Sequence, residues 1–201
     1  MVRRLVYLAT NFSHRRQSMK TSSNQIFFLC ATALFAAILS VLSPLSIPLP
    51  FTPVPLSLGT FAVYLAAAAG GAKRGTLAVA VYLLLGAVGI PVFAGYAGGF
   101  QNLMGPTGGY LIGYLPLALT VGLCTDHFPE KKSIYPLSMI GGPLFCYALG
   151  TWWLARQTGL SLPAALAAGV LPFLPGDGVK ILAASAVAYP VRRALHHREE
   201  K

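Results

Sequence analysis

The sequence predicts an all-α integral membrane protein of six transmembrane helices with both termini cytoplasmic, and three observations carry that expectation. Only 10% of the 201 residues are charged and 55% are hydrophobic, whereas a soluble domain carries about 25% charged residues. The apolar residues come in long blocks, such as "IFFLCATALFAAILSVL" at 26–42 and "GTLAVAVYLLLGAVGIPVFA" at 75–94, close to the roughly 20 residues a helix needs to cross a bilayer. Finally, the Lys and Arg residues are confined to a few short segments.

Taken in order, the spans are 25–43, 56–72, 75–94, 106–124, 134–156 and 175–191. Arg3, Arg4, Arg15, Arg16 and Lys20 precede the first span. Lys73 and Arg74 separate the second from the third, and Lys131 and Lys132 the fourth from the fifth. Arg192, Arg193, Arg198 and Lys201 follow the sixth. These are 13 of the 15 basic residues, and with six spans they all fall on one side, which the positive-inside rule makes cytoplasmic. Topology thus accounts for the net charge of +10, and no nucleic-acid partner is needed. The segment 161–172, "SLPAALAAGVLP", is apolar but too short to cross and predicts a helical loop element.

This divides the chain into a basic cytoplasmic segment (1–24), a membrane domain (25–191) and a basic cytoplasmic tail (192–201). The first 18 residues read either as a basic helix on the membrane surface or as a segment ahead of a start at Met19. The second is preferred, because Met19-Lys20 stands just before the first span.

The chemistry is sparse. Cys30, Cys124 and Cys146 each lie within an apolar block and read as small core residues. All four histidines fall in cytoplasmic segments, no second acid accompanies Asp177, and there is no G-x-x-x-x-G-K-[ST] phosphate loop. No enzyme activity, metal or cofactor is therefore expected; a membrane enzyme built on Asp177 is the rival, and it lacks supporting groups.

Three outer stretches are polar. "SPLSIPLPFTPVPLSLGT" (43–60) carries five prolines and predicts a stiff, extended segment, either a lid or a rigid connector. "GYAGGFQNLMGPTGGY" (95–110) is glycine-rich and contains Asn102; it is either a ligand-facing loop or a helix-connecting turn. "FLPGDGVKIL" (173–182) places Asp177 and Lys180 three residues apart on one helix face. An ionisable residue within a membrane span points first to function, with a structural ion pair as the alternative. Gathered by the bundle, the three stretches would form an outward pocket with hydroxyls from Thr52, Ser57 and Tyr110 and aromatic walls from Phe51, Phe93, Tyr96 and Phe100, suited to a small, mostly apolar ligand.

"PFTPVPLSLGT", "YLLLGAVGIPVFAG", "NLMGPTGGYLIGY" and "FLPGDGVK" resemble the signature segments of the BioY family, the biotin-specific substrate-capture subunits of energy-coupling factor (ECF) transporters. The likeness runs from about residue 26 to 191. It implies high-affinity biotin binding and uptake at a prokaryotic cell membrane by a multi-pass protein working with an ECF coupling transmembrane protein and a pair of ATPases. It also implies that Asn102 and Asp177 hold the ureido ring, with Lys180 either on the valerate carboxylate or neutralising Asp177. Tyr110, Gly109, Thr52 and Phe93 complete the expected ligand set, and Ala33 and Ala37 match the family's A-x-x-x-A docking pattern in the first helix. One departure is "SLGT" at 57–60, with Gly59 where family members often carry glutamine and Ser57 where they carry threonine. Another vitamin, such as thiamine or riboflavin, and a solo carrier without an ATPase are the rivals.

Overall fold

A computed structural model describes residues 25–199, with side-chain surroundings through Leu195; the reading of 1–24 lies outside these residues. Helix α1 (Gln25–Leu42) returns the hydroxyls of Thr32 and Ser40 to the carbonyls of Phe28 and Ala36 four residues back, both at 2.8 Å. These polar groups are thus satisfied within the helix, as an apolar surround requires. Phe35, Ala36 and Leu39 turn into the bundle, while Leu29, Leu34 and Val41 face outward.

The proline-rich segment that follows is extended only in part: two short strands, β1 (Ser46–Ile47) and β2 (Leu56–Ser57), pair antiparallel in the register Ser46↔Ser57, and the chain turns back between them. Helix α2 (Gly59–Ala87) spans 29 residues but breaks at Gly71, whose φ is 78° and ψ 179°. A Cβ on Gly75 would lie 2.5 Å from the Ala67 Cα, although residues eight apart in an unbroken helix are separated by about 12 Å. The chain therefore folds back on itself at Gly71, and α2 is two antiparallel arms. The sequence predicts this reversal at Lys73–Arg74. It comes two residues earlier because only glycine adopts that backbone geometry readily, and the two cations open the second arm instead.

The second arm ends at Ala87 rather than at 94, since Gly89 turns to φ 106° and Pro91 follows. A 3₁₀ turn (Ala94–Tyr96) and the short α3 (Phe100–Met104) then lead into α4 (Gly108–His127). The predicted span 134–156 is two helices, α5 (Ile134–Gly141) and α6 (Pro143–Thr158), joined through Gly142 in helical geometry; the missing N–H of Pro143 interrupts the ladder. Helix α7 (Leu162–Gly169) occupies the predicted loop element. Helix α8 (Leu174–Glu199) continues past residue 191, so Arg192 belongs to a packed helix rather than to a tail.

Central α4 packs against α2 and α6, and α8 closes on α2 and α5. As single helices, α1 and α4 have the length and hydropathy of a membrane span, as do α7 and α8 taken as a pair bent by 49°. Leu84, Leu144, Val179 and Leu182 are among many large apolar side chains facing outward, a surface suited to lipid rather than water. Cys146 is buried, but Cys30 and Cys124 are exposed, contrary to the core position expected of all three; in a bilayer the outward face is as apolar as the core.

Candidate ligand site

Asp177 lies in the first turn of α8, where the helix dipole favours a carboxylate, and is 6% exposed. One oxygen, Oδ1, meets Lys180 Nζ at 3.1 Å; the other accepts a hydrogen bond from the Tyr147 hydroxyl on α6. Lys180 Nζ also donates to Thr60 Oγ1 at 2.9 Å. The pair on α8 is thus fixed from two further helices. One turn beyond Thr60, Tyr64 is fully buried, and its hydroxyl has no hydrogen-bond partner among the described residues.

Two adjoining cavities meet here. A small one, about 60 Å³, is lined by Thr60, Tyr147, Asp177 and Lys180. A larger one, about 250 Å³, is lined by Phe93, Asn102 and Thr107. Val54, Pro55, Ser57, Tyr110 and Tyr114 form walls of both, so the proline-rich segment, the glycine-rich loop and the start of α8 do converge. Together the cavities reach the lower end of the roughly 300–1,000 Å³ typical of small-molecule sites.

The predicted site residues divide accordingly. Asn102, Tyr110 and Phe93 line the larger cavity, and Asp177 and Lys180 the smaller, with Tyr110 in both. Asn102 Nδ2 donates to the Gly98 carbonyl at 2.6 Å, which fixes the amide on its loop. Phe93 is held edge-on to Tyr82, ring centroids 5.6 Å apart. Thr52 lines neither of these two but a third cavity, of about 310 Å³, which shares Pro53, Pro55 and Ala94 with the larger one, and its hydroxyl accepts the Val54 N–H at 3.2 Å and braces the turn. Nor does Gly109 line it. A Cβ there would come within 2.3 Å of Trp153 Cβ, so this glycine lets α4 and α6 approach, as Gly113 does against Cys146.

A sequence model of the BioY family matches residues 15–197. The chain belongs to the BioY family. A Thermotoga maritima protein named biotin transporter BioY is 40% identical over 165 residues, covering 82% of this chain and 95% of that protein. A Pyrococcus horikoshii protein named probable biotin transporter BioY is also 40% identical, covering 78% and 90%. A crystal structure of the S-component for biotin from an ECF-type ABC transporter superposes with a TM-score of 0.79 at 28% identity, covering 85% of this chain and 93% of that one.

Within this BioY chain, sequence reasoning missed Tyr147, Thr60 and Tyr64. Tyr64 and Tyr147 are ordinary helix residues in apolar runs, Thr60 closes the proline-rich segment without standing out there, and only the packing reveals them. Thr60 and Tyr64 share a face at a spacing of four, but nothing in the sequence says that face meets Lys180. The departure at Gly59 also has a physical setting. A Cβ there would lie 2.9 Å from both Ser43 Oγ and Tyr114 Oη and 3.2 Å from Ser57 Oγ. Hydroxyls crowd the place a longer side chain would enter, and Ser43 Oγ is itself 2.6 Å from Tyr82 Oη.

Proposed function

We propose that this BioY-family chain binds biotin in the joined cavities and serves as the substrate-capture subunit of an ECF-type transporter. The observation that carries this is the pair of buried Asp177 and half-buried Lys180, braced by Tyr147 and Thr60 and sharing cavity walls with the Asn102 side of the site.

Biotin's ureido group offers two N–H donors beside one carbonyl acceptor. A carboxylate oxygen and an ammonium 3.1 Å apart match one N–H and the neighbouring carbonyl, and such charge-assisted bonds are the strong ones. The valerate carboxylate lies at the other end of the molecule, beyond the fused ring and a methylene chain. Asp177 and Lys180 are too close together to serve both ends at once. Lys180 therefore neutralises Asp177 and joins it on the ureido ring, rather than holding the valerate. Asn102 completes the polar contacts, and Phe93, Tyr110 and Tyr114 cover the apolar ring.

The same proposal includes six membrane spans with both termini cytoplasmic, counting each arm of α2 and treating α5 with α6 as one span. It places the chain as a multi-pass protein in a prokaryotic cell membrane. Ala33 and Ala37 are exposed on one face of α1, where small residues let a partner helix approach; this face would meet the coupling protein, which works with a pair of ATPases.

A ligand screen tests the central claim. Micromolar biotin should raise the melting temperature of the detergent-purified protein by mass action, and thiamine and riboflavin should not. No shift with biotin would overturn the proposal.

A further inference from the structure

We propose a second binding site, for an anionic phospholipid, in the groove at the Arg192 end of the bundle. The groove has a volume of about 860 Å³ and is bounded by α1, both arms of α2, α4 and α8. It lies at the opposite end of α8 from Asp177, and the inference does not depend on the biotin reading.

Its walls are graded. Along the second arm of α2, Lys73, Leu77 and Ala80 line it at spacings of four and three, which puts them on one helix face. Along α4, Asp126, Leu123 and Leu119 do the same at spacings of three and four. The two stripes are in register, because the Ala72 N–H donates to Asp126 Oδ2 at 2.9 Å. Both therefore run from a charged end to an apolar floor about 10 Å further along.

At the charged end, Arg192 is paired with Asp126, Arg74 lies beside them, and the exposed Lys73 adds a further ammonium, so that cations outnumber the acid among the described lining residues. The Arg74 guanidinium stands over the rings of Phe27 and Phe28, 5.8 and 5.4 Å from their centroids. At the apolar end, Leu77, Leu119 and Leu123 are 41%, 44% and 53% exposed. An occupant must combine an anionic head with an apolar tail of at least two helical turns. A free anion leaves the leucines unused, and a zwitterionic lipid brings no net charge to match the exposed Lys73 ammonium. A phospholipid with an anionic headgroup meets both, and basic residues beside a membrane attract such lipids electrostatically.

Native mass spectrometry of the full-length protein tests this, with phosphatidylglycerol and phosphatidylcholine of identical acyl chains. Phosphatidylglycerol should be retained at least about fivefold better, and Lys73→Gln should remove about that factor. Leu123→Trp, which fills the floor of the groove, should reduce its retention without changing the charge. Both side chains are exposed, so neither substitution disturbs the core. Equal retention of the two lipids, unchanged retention in Leu123→Trp, displacement by inorganic phosphate alone, or occupation only by a coupling protein's helix would each overturn the site.

Discussion

Arg192 reaches from α8 to the end of α4, its Nη2 lying 2.6 Å from Asp126 Oδ1. The second oxygen of Asp126 caps the reversal of α2 by accepting the Ala72 N–H at 2.9 Å, while Arg192 Nη1 donates to the Ala68 carbonyl at 3.1 Å and to Thr125 at 3.2 Å. One carboxylate and one guanidinium thus tie three helices together. The Thr125 hydroxyl limits the desolvation cost, accepting from Arg192 while it donates its own proton to the α4 backbone.

The two partners are unequally buried, and this predicts unequal losses. The Arg192 side chain is 5% exposed and that of Asp126 42%. Asp126→Ala strands a buried cation and should destabilise the protein by about 3 kcal/mol. Arg192→Met leaves a carboxylate that water can reach and should cost about 1 kcal/mol. Denaturation in detergent should therefore rank Asp126→Ala as the weaker protein, with the double variant partly restored. Equal losses would sink the account.

The turn that this pair closes depends on Gly71. Its φ of 78° is strained for any other residue, and a Cβ would lie 2.3 Å from Asp126 Oδ1. Gly71→Ala should cost about 2 kcal/mol and weaken the Asp126 bond with it. As a control, Gly141 sits in α5 with open space around its Cβ position, and Gly141→Ala should stabilise by up to about 1 kcal/mol. Matching melting temperatures for the two variants would contradict this.

Much of this architecture was legible beforehand because blocks of apolar residues and clusters of basic ones report directly on membrane insertion. Asp177 and Lys180 stood out for the same reason, as charges in a run that otherwise has none. What stayed hidden depends on contacts between helices. Arg192 reads as one more basic residue after a span, and nothing local says that it turns inward to Asp126. Gly109 and Asn102 sit in the same glycine-rich stretch, yet one packs against Trp153 and the other lines a cavity; the first lies on α4 and the second on α3, and how these two helices pack decides which residue lines the space. Thr52, named from its loop, spends its hydroxyl on Val54. Tyr147 carried no signal because tyrosine in an apolar helix is unremarkable until its hydroxyl is seen on Asp177.

The role of Gly109 separates packing from binding. Gly109→Ala pushes α4 and α6 apart at Trp153 and should destabilise the protein by 1–3 kcal/mol, as overpacking does. Biotin titration of the protein that remains folded should give an affinity near that of the parent. A large loss of affinity with unchanged stability would instead return Gly109 to the ligand site.

The Asp177–Lys180 pair provides the sharpest test of the proposed biotin geometry. Asp177→Asn should abolish most binding, because it removes the charged acceptor and leaves Lys180 only Thr60. Tyr147→Phe keeps the ring but frees one carboxylate oxygen from its brace, and should weaken biotin by about tenfold, the worth of one hydrogen bond to a charged group. Lys180→Ala then decides where the lysine acts. If it serves the ureido ring, biotin and biocytin, in which the valerate carboxylate is converted to an amide, lose affinity equally. If Lys180 held the valerate, biotin would lose far more than biocytin. Calorimetric titration of both ligands against the variant distinguishes these, and the 3.1 Å separation from Asp177 predicts equal losses.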